Sequence, residues 1–236
     1  MFSPQPARIE VRADAIVLTR QHAQRTEVSL QHHSLQSAVT ELIEPVRHEL
    51  RADVVIHAAH ARLFVLPFSS AMSSEARWNA YAHGRFEDLF GEEPQGWKVC
   101  VVPERPGRPR LAAALPMGLM RTFEELLDRR LRSVRIDALM LLDELRLREA
   151  GFTGAMVDIR SQHTLVALMV DGSLHRVRLR RMTPSIDELR AALAVEWAAL
   201  GRHDALPVLA VAPGDVLDAS DGNGLRALAS RLIRLH

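Results

Sequence analysis

The stretch from Ala155 to Leu179 constrains the fold more than any other part of the chain. Three apolar runs, Ala155–Ile159, Leu165–Val170 and Leu174–Leu179, follow one another with breaks too short to hold a helix. Short apolar, β-branched runs bounded by turn residues read as strands. Asp171-Gly172 joins the last two, a dipeptide that accepts the positive φ angles of a tight hairpin. A helix over Pro184–Leu200, with proline in its first turn, and a buried strand over Val208–Ala212 follow. Strands, then helix, then strand is the grammar of a mixed α/β sheet.

The N-terminal half has the same coarse plan, although no sequence repeat is visible. Ala7–Thr19 alternates Ile9, Val11, Ala15 and Val17, which predicts two strands turning at Ala13-Asp14; Thr26–Leu30 is a third. Gln36–Leu50 has helical spacing interrupted by Pro45. Val54–His57 and Leu63–Leu66 read as strands. Ser73–Phe90 is the clearest helix, capped by Ser73 or Ser74 and stopped by Gly91, with Trp78, Tyr81, Phe86 and Phe90 on one broad face. Lys98–Val102 and Leu111–Leu115 predict a strand pair, and Leu119–Leu131 and Ala138–Ala150 predict helices. Arg132–Ile136 reads as a lobe boundary, dividing the chain into 1–132 and 133–236. Pro213–Gly224 reads as a loop and Leu225–Leu235 as a last helix.

Composition narrows the function classes. Of 236 residues, 47% are hydrophobic, enough to build cores, and the net charge of +1 gives no reason to expect nucleic acid or an anionic membrane as partner. The single cysteine, Cys100, forms no internal disulfide and no cysteine metal cluster, which points to a reducing compartment. Met1–Pro6 lacks the features of a signal peptide, and no apolar run approaches the roughly 20 residues of a membrane span. The expected location is cytoplasmic.

Motifs that grip nucleotides are missing. A P-loop needs Gly-rich backbone followed by Lys and Ser/Thr, but the only lysine, Lys98, precedes Val99 and Cys100. No G-x-G-x-x-G opens a helix, and there is no G-x-S-x-G nucleophile turn. His57 and His60 have metal-ligand spacing but flank a turn with no nearby carboxylate or third histidine expected, so they read as turn histidines; His32-His33 reads as a solvated pair. Asp215, Asp218 and Asp221 miss the calcium-loop pattern, with Ser220 where an acid is needed. No metal site is expected. Asp158 ends a buried strand, a place where a carboxylate either holds a metal or water, or simply caps a turn. Arg176, Arg178 and Arg180 alternate on one strand and share a face. That face is either a charged edge that blocks unwanted pairing or a contact for an acidic partner.

Two segments resemble a known family. Val54–Ser69 (VVIHAAHARLFVLPFS) precedes Trp78, Tyr81, Arg85-Phe86, Gly91 and Trp97, and Ala155–Arg181 reads AMVDIRSQHTLVALMVDGSLHRVRLRR. Both resemble segments of actin-like bacterial assembly proteins. These are the actin-like cytoplasmic protein of the type IV pilus inner-membrane platform and the cytoplasmic domain of the corresponding type II secretion component. The resemblance implies a two-lobed α/β actin/hexokinase-like (RNase H-like) fold, with mixed sheets flanked by helices. It also implies ATP between the lobes in relatives that bind it, and a groove or sheet edge that receives a partner segment.

Departures from that pattern define the expected chemistry. Val11–Val17 contains no glycine, Arg160 stands where the second hairpin needs glycine, and Pro213 removes a backbone donor at the adenosine position. The nucleotide site therefore reads as degenerate, with no catalytic residues. If nucleotide is bound at all, Asp158, Arg160 and Ser161 are the candidate contacts. The expected function is a non-catalytic cytosolic scaffold, with Arg176, Arg178 and Arg180 contacting a protein component of an inner-membrane assembly platform. A divergent ATPase of the same fold using ATP and Mg is the alternative. Pairing with a second copy of the chain stays open.

Overall fold

The computed structural model describes residues 7–20, 24–160, 163–180, 186–203, 206–211 and 232–235. By packing, the chain divides into two units. The first comprises residues 1–62, 74–101 and 113–141, and the second comprises 63–73, 102–112 and 142–236. The division at 132/133 read from the sequence is a single cut, whereas these units are discontinuous.

The first unit is built on a sheet of order β3-β2-β1-β4-β8. Its strands are β1 (Ala7–Val11), β2 (Ala15–Thr19), β3 (Arg25–Ser29), β4 (Ala52–Ile56) and β8 (Leu131–Ile136). Neighbours β1/β2 and β2/β3 are antiparallel; β1/β4 and β4/β8 are parallel. Arg132–Ile136 is thus a strand of this sheet and not a lobe boundary. Its exposed Arg132 and Arg135 suit a sheet edge and disguise it in the sequence.

Helices α1 (Leu35–Ile43) and α3 (Met117–Leu127) cover one face of that sheet. Ile9, Val11, Ile16, Leu18, Val54 and Ile56 meet Val39, Ile43, Phe123 and Leu127 there, each almost fully buried. Burying one such side chain contributes about 1.5–3 kcal/mol, so this layer holds the parallel strands in register. Ser34 caps α1 through Ser37 N–H, and the helix gives way to a 3-10 turn, Glu44–Val46, at Pro45.

α2 (Glu75–Phe90) starts on Ser74, whose side chain accepts from Arg77 N–H, and ends on Gly91 at φ 63°. Trp78, Ala82 and Phe86 are its buried face, and Phe86 packs on Trp97 at 5.5 Å between ring centroids. Arg62 lies over the Trp97 ring at 4.9 Å. The remaining N-terminal strands, β5 (Arg62–Leu66), β6 (Trp97–Val101) and β7 (Arg110–Pro116), form a sheet of order β5-β7-β6.

The second unit repeats the plan. Its sheet has order β11-β10-β9-β12-β13, from β9 (Gly154–Ile159), β10 (Thr164–Val170), β11 (Ser173–Arg180), β12 (Val208–Val211) and β13 (Leu232–Leu235). Only β9/β12 is parallel. α5 (Ile186–Ala198) packs Leu189, Leu193 and Trp197 on Ala155, Val157, Val166 and Leu168. Asp171 and Gly172 both have positive φ, 50° and 72°, as the hairpin requires. Leu232–Leu235 is a strand antiparallel to β12, not the end of a helix; the rest of the predicted helix lies outside the described residues. α4 (Asp137–Arg148) follows β8 directly.

Candidate functional site

In open α/β sheets, ligand-binding residues gather beyond the carboxyl ends of parallel strands. In the first unit those ends are Val11 on β1, Ile56 on β4 and Ile136 on β8, and the residues just past them carry the polar chemistry. His57 N–H donates to Val11 O at 2.8 Å, which ties the end of β4 to the end of β1. Asp137, at the end of β8, accepts from Ala58 N–H at 2.9 Å and Ala138 N–H at 2.7 Å through Oδ1. One carboxylate therefore caps its own helix and holds the turn after β4.

His57 Nδ1 accepts from Ala59 N–H, so the neutral ring carries its proton on Nε2, 3.4 Å from Asp137 Oδ2. Both residues are more than nine-tenths buried. His60 Nε2 donates to Arg12 O at 2.6 Å. The two histidines thus serve the turn, as the sequence predicts, but a carboxylate does stand beside His57, which corrects the sequence reading. It arrives from 79 positions beyond Ala58. No local pattern could have announced it.

On β1, one residue before Val11, Glu10 is 3% exposed. Arg12 grips it through Nε at 3.2 Å and an Nη at 2.8 Å, and Arg8 reaches it at 3.0 Å. A carboxylate taken this far out of water needs such partners.

In the second unit, Asp158 is 5% exposed on β9, and Arg160 Nε donates to its Oδ1 at 2.8 Å. Arg160 N–H closes the tip by donating to His163 O at 2.9 Å. Asp158 and Arg160 come together as a pair; Ser161 lies outside the described residues, as do Pro213, Gly214 and the Asp215–Asp221 cluster. Among the described residues no three His, Cys, Asp or Glu side chains are grouped to hold a metal.

Among the described residues, the carboxylates near the two hairpin tips are held by arginines. The carboxylate that would attend a metal is already neutralised by a guanidinium two residues away, and the first tip likewise begins with an arginine gripping a carboxylate. Neither the 12–15 tip nor Ile159-Arg160 offers a glycine whose bare backbone could approach a phosphate.

The arginine row on β11 is less free than its sequence suggests. Arg176 pairs with Glu196 of α5, Arg178 reaches the same carboxylate at 3.5 Å, and Arg180 is exposed. All three share the face on which α5 packs, opposite Leu168, Val166 and Thr164 of β10. β11 is the terminal strand of its sheet among the described residues. Its His175 is pushed below its ordinary pKa by burial, partly offset by Asp171.

No family model and no curated protein matches this sequence. Solved structures do. A protein of unknown function with an actin-like ATPase fold from Bacteroides thetaiotaomicron aligns at a TM-score of 0.57 and 11% identity, over 96% of this chain and 88% of its own. The chain has the actin-like fold. The cytoplasmic domain of EpsL, an inner-membrane component of the Vibrio cholerae type II secretion system, aligns at 0.51 and 13% identity over 96% and 92% of the two chains. A PilM–PilN type IV pilus biogenesis complex aligns at 0.51 and 15% identity, over 82% of this chain and 66% of that one. At these identities the likeness concerns the actin-like fold alone, and it agrees with the fold inferred from the sequence.

Proposed function

We propose that this chain is a non-catalytic actin-like scaffold that joins a protein component of an inner-membrane assembly platform, of the kind found in type IV pilus or type II secretion machines. The observation that carries the reading is the Arg160–Asp158 pair. A metal-dependent phosphoryl-transfer site needs that carboxylate open to a cation and a bare backbone beside the phosphates. Here the carboxylate has its own cation. The fold shared with EpsL and PilM supports the assembly role. No helix is long and apolar enough to cross a membrane among the described residues, so on this reading the chain sits in the cytoplasm and reaches the inner membrane through its partner.

The docking surface on this reading is the edge of β11. Arg178 and Arg180 present positive charge beside an edge strand, which suits an extended acidic segment added by main-chain pairing. Arg176 and Glu196 frame it. Titration with acidic peptides from candidate platform proteins tests this: reversing Arg178 and Arg180 to Glu should weaken binding at least tenfold and reduce its salt sensitivity. Unchanged affinity removes this edge from the proposal.

The alternative is a divergent ATPase, because Asp158 still stands at the carboxyl end of β9 with Arg160 and Ser161 after it. Calorimetry with Mg-ATP decides between them. The scaffold reading expects no binding at micromolar concentrations; binding that disappears in Asp158→Ala would establish the ATPase reading instead.

A further inference from the structure

The first hairpins of the two units are closed by the same pair of bonds. In the first unit Val11 faces Ile16, Glu10 faces Val17, and four residues lie between the last pair. In the second Ile159 faces Thr164, Asp158 faces Leu165, and again four residues lie between the last pair. Arg12 N–H donates to Ala15 O at 2.8 Å, and Arg160 N–H to His163 O at 2.9 Å. Each arginine then turns its guanidinium back onto the carboxylate two residues earlier, Glu10 or Asp158, which are 3% and 5% exposed. Each first strand also has a parallel neighbour on its other side, β4 for β1 and β12 for β9.

The chemistry explains the spacing. Residues i and i+2 of a strand project to the same face, so an arginine just past the strand can reach back to an acid on it. One residue thus closes the tip twice, through its main chain and through a charge-assisted side-chain bond. A buried carboxylate needs a paired charge or hydrogen bonds; Arg160 supplies them to Asp158, and Arg12 together with Arg8 supplies them to Glu10. We infer that Arg12 and Arg160 are tethered counter-ions that fix the two hairpin tips in place without a ligand. This rests on the reading that the chain works without bound nucleotide, and it explains how the strand ends are held if it does. Both are positioning residues.

Hydrogen exchange at single amides of the full chain, followed by NMR, tests the inference. Arg12→Ala should speed exchange at residue 12 at least tenfold and leave residue 160 unchanged; Arg160→Ala should do the reverse. Lys at either position should restore part of the protection, since it keeps the charge but loses the fork. If a single Ala variant fails to fold, Glu10→Gln/Arg12→Ala and Asp158→Asn/Arg160→Ala remove the acid's charge together with the arginine and should still exchange fast at residues 12 and 160. Protection unchanged in these variants overturns the inference. Mg-ATP added to the unaltered chain is a separate arm. Slowed exchange at residue 160 on adding it would defeat the non-nucleotide reading, whatever the variants do.

Discussion

His57 and Asp137 face each other 3.4 Å apart in a nearly dry part of the first unit, where the turn after β4 meets the start of α4. The carboxylate does more than balance a ring. Its Oδ1 takes the amide protons of Ala58 and Ala138, so it fixes where a turn and a helix begin. The pair serves the architecture: Asp137 Oδ1 and His57 Nδ1 accept from main-chain amides, and Asp137 Oδ2 faces the ring.

Asp137→Ala strips the acceptor from two buried amides at once, and each unpaired buried donor costs about 1–3 kcal/mol. The expected loss is about 3 kcal/mol in urea unfolding. Asp137→Asn keeps Oδ1 in place and should lose only about 1 kcal/mol. Equal losses for the two variants would show that charge, not the acceptor, sets the stability here.

Gly154 opens β9 where Pro207 O, which also accepts from Ala155 N–H at 2.8 Å, lies 2.4 Å from where a Cβ would stand. A Cβ there would overlap that oxygen and the Phe152 ring. Gly151 sits at φ 83° with nothing near its missing Cβ. Gly151→Ala should therefore cost only the backbone strain of about 1 kcal/mol, whereas Gly154→Ala should cost about 3 kcal/mol through backbone displacement. Chemical denaturation of both variants reads the difference.

Asp128 ends α3 at φ 44°, ψ −123°, a conformation glycine adopts far more readily. Among the described residues its side chain has no hydrogen bond or ion pair that would reward the strain. Asp128→Gly should raise stability by about 1 kcal/mol, or about 2–4 °C in Tm. A lower Tm would mean that the flexibility gained by the unfolded chain outweighs the relieved strain.

Much of the fold was legible because its signals are local. Ser74 and Gly91 bound α2 by capping chemistry, and Asp171-Gly172 declares its hairpin through two positive φ angles. β8 was hidden because Arg132, Ser133 and Arg135 break its apolar pattern, as an edge position permits. Leu232–Leu235 pairs as a strand because it meets β12, a partner no short window contains. The candidate site divides the same way. Arg160 stands out by the glycine it replaces and Asp158 by ending a buried strand, while the contact between Asp137 and Ala58 spans most of the first unit's sequence. The triplets Glu10-Val11-Arg12 and Asp158-Ile159-Arg160 were in plain view; they gain meaning only once both are seen ending a strand before a four-residue tip.

Two titrations with opposite signs give the last prediction. His175 on β11 is held below its ordinary value of 6.5, by burial first and against the pull of Asp171. The unfolded chain therefore takes up the proton before the folded one, and stability falls as pH drops below 6.5 towards the folded value. Glu144 on α4 is held above its ordinary 4.5, again by burial first, with the Arg148 ion pair at 2.6 Å opposing it. Its folded form keeps the proton longer, so this contribution is complete below 4.5 and is lost as pH rises through the folded value. Urea midpoints across pH should separate the two. His175→Gln should remove the part of the acid-side fall that begins near 6.5. Glu144→Gln should instead remove the decline that begins above 4.5, so that it loses least against the parent chain at neutral pH. If Glu144→Gln is instead relatively weakest at neutral pH, the Arg148 pair outweighs burial and the sign assigned to this carboxyl is wrong.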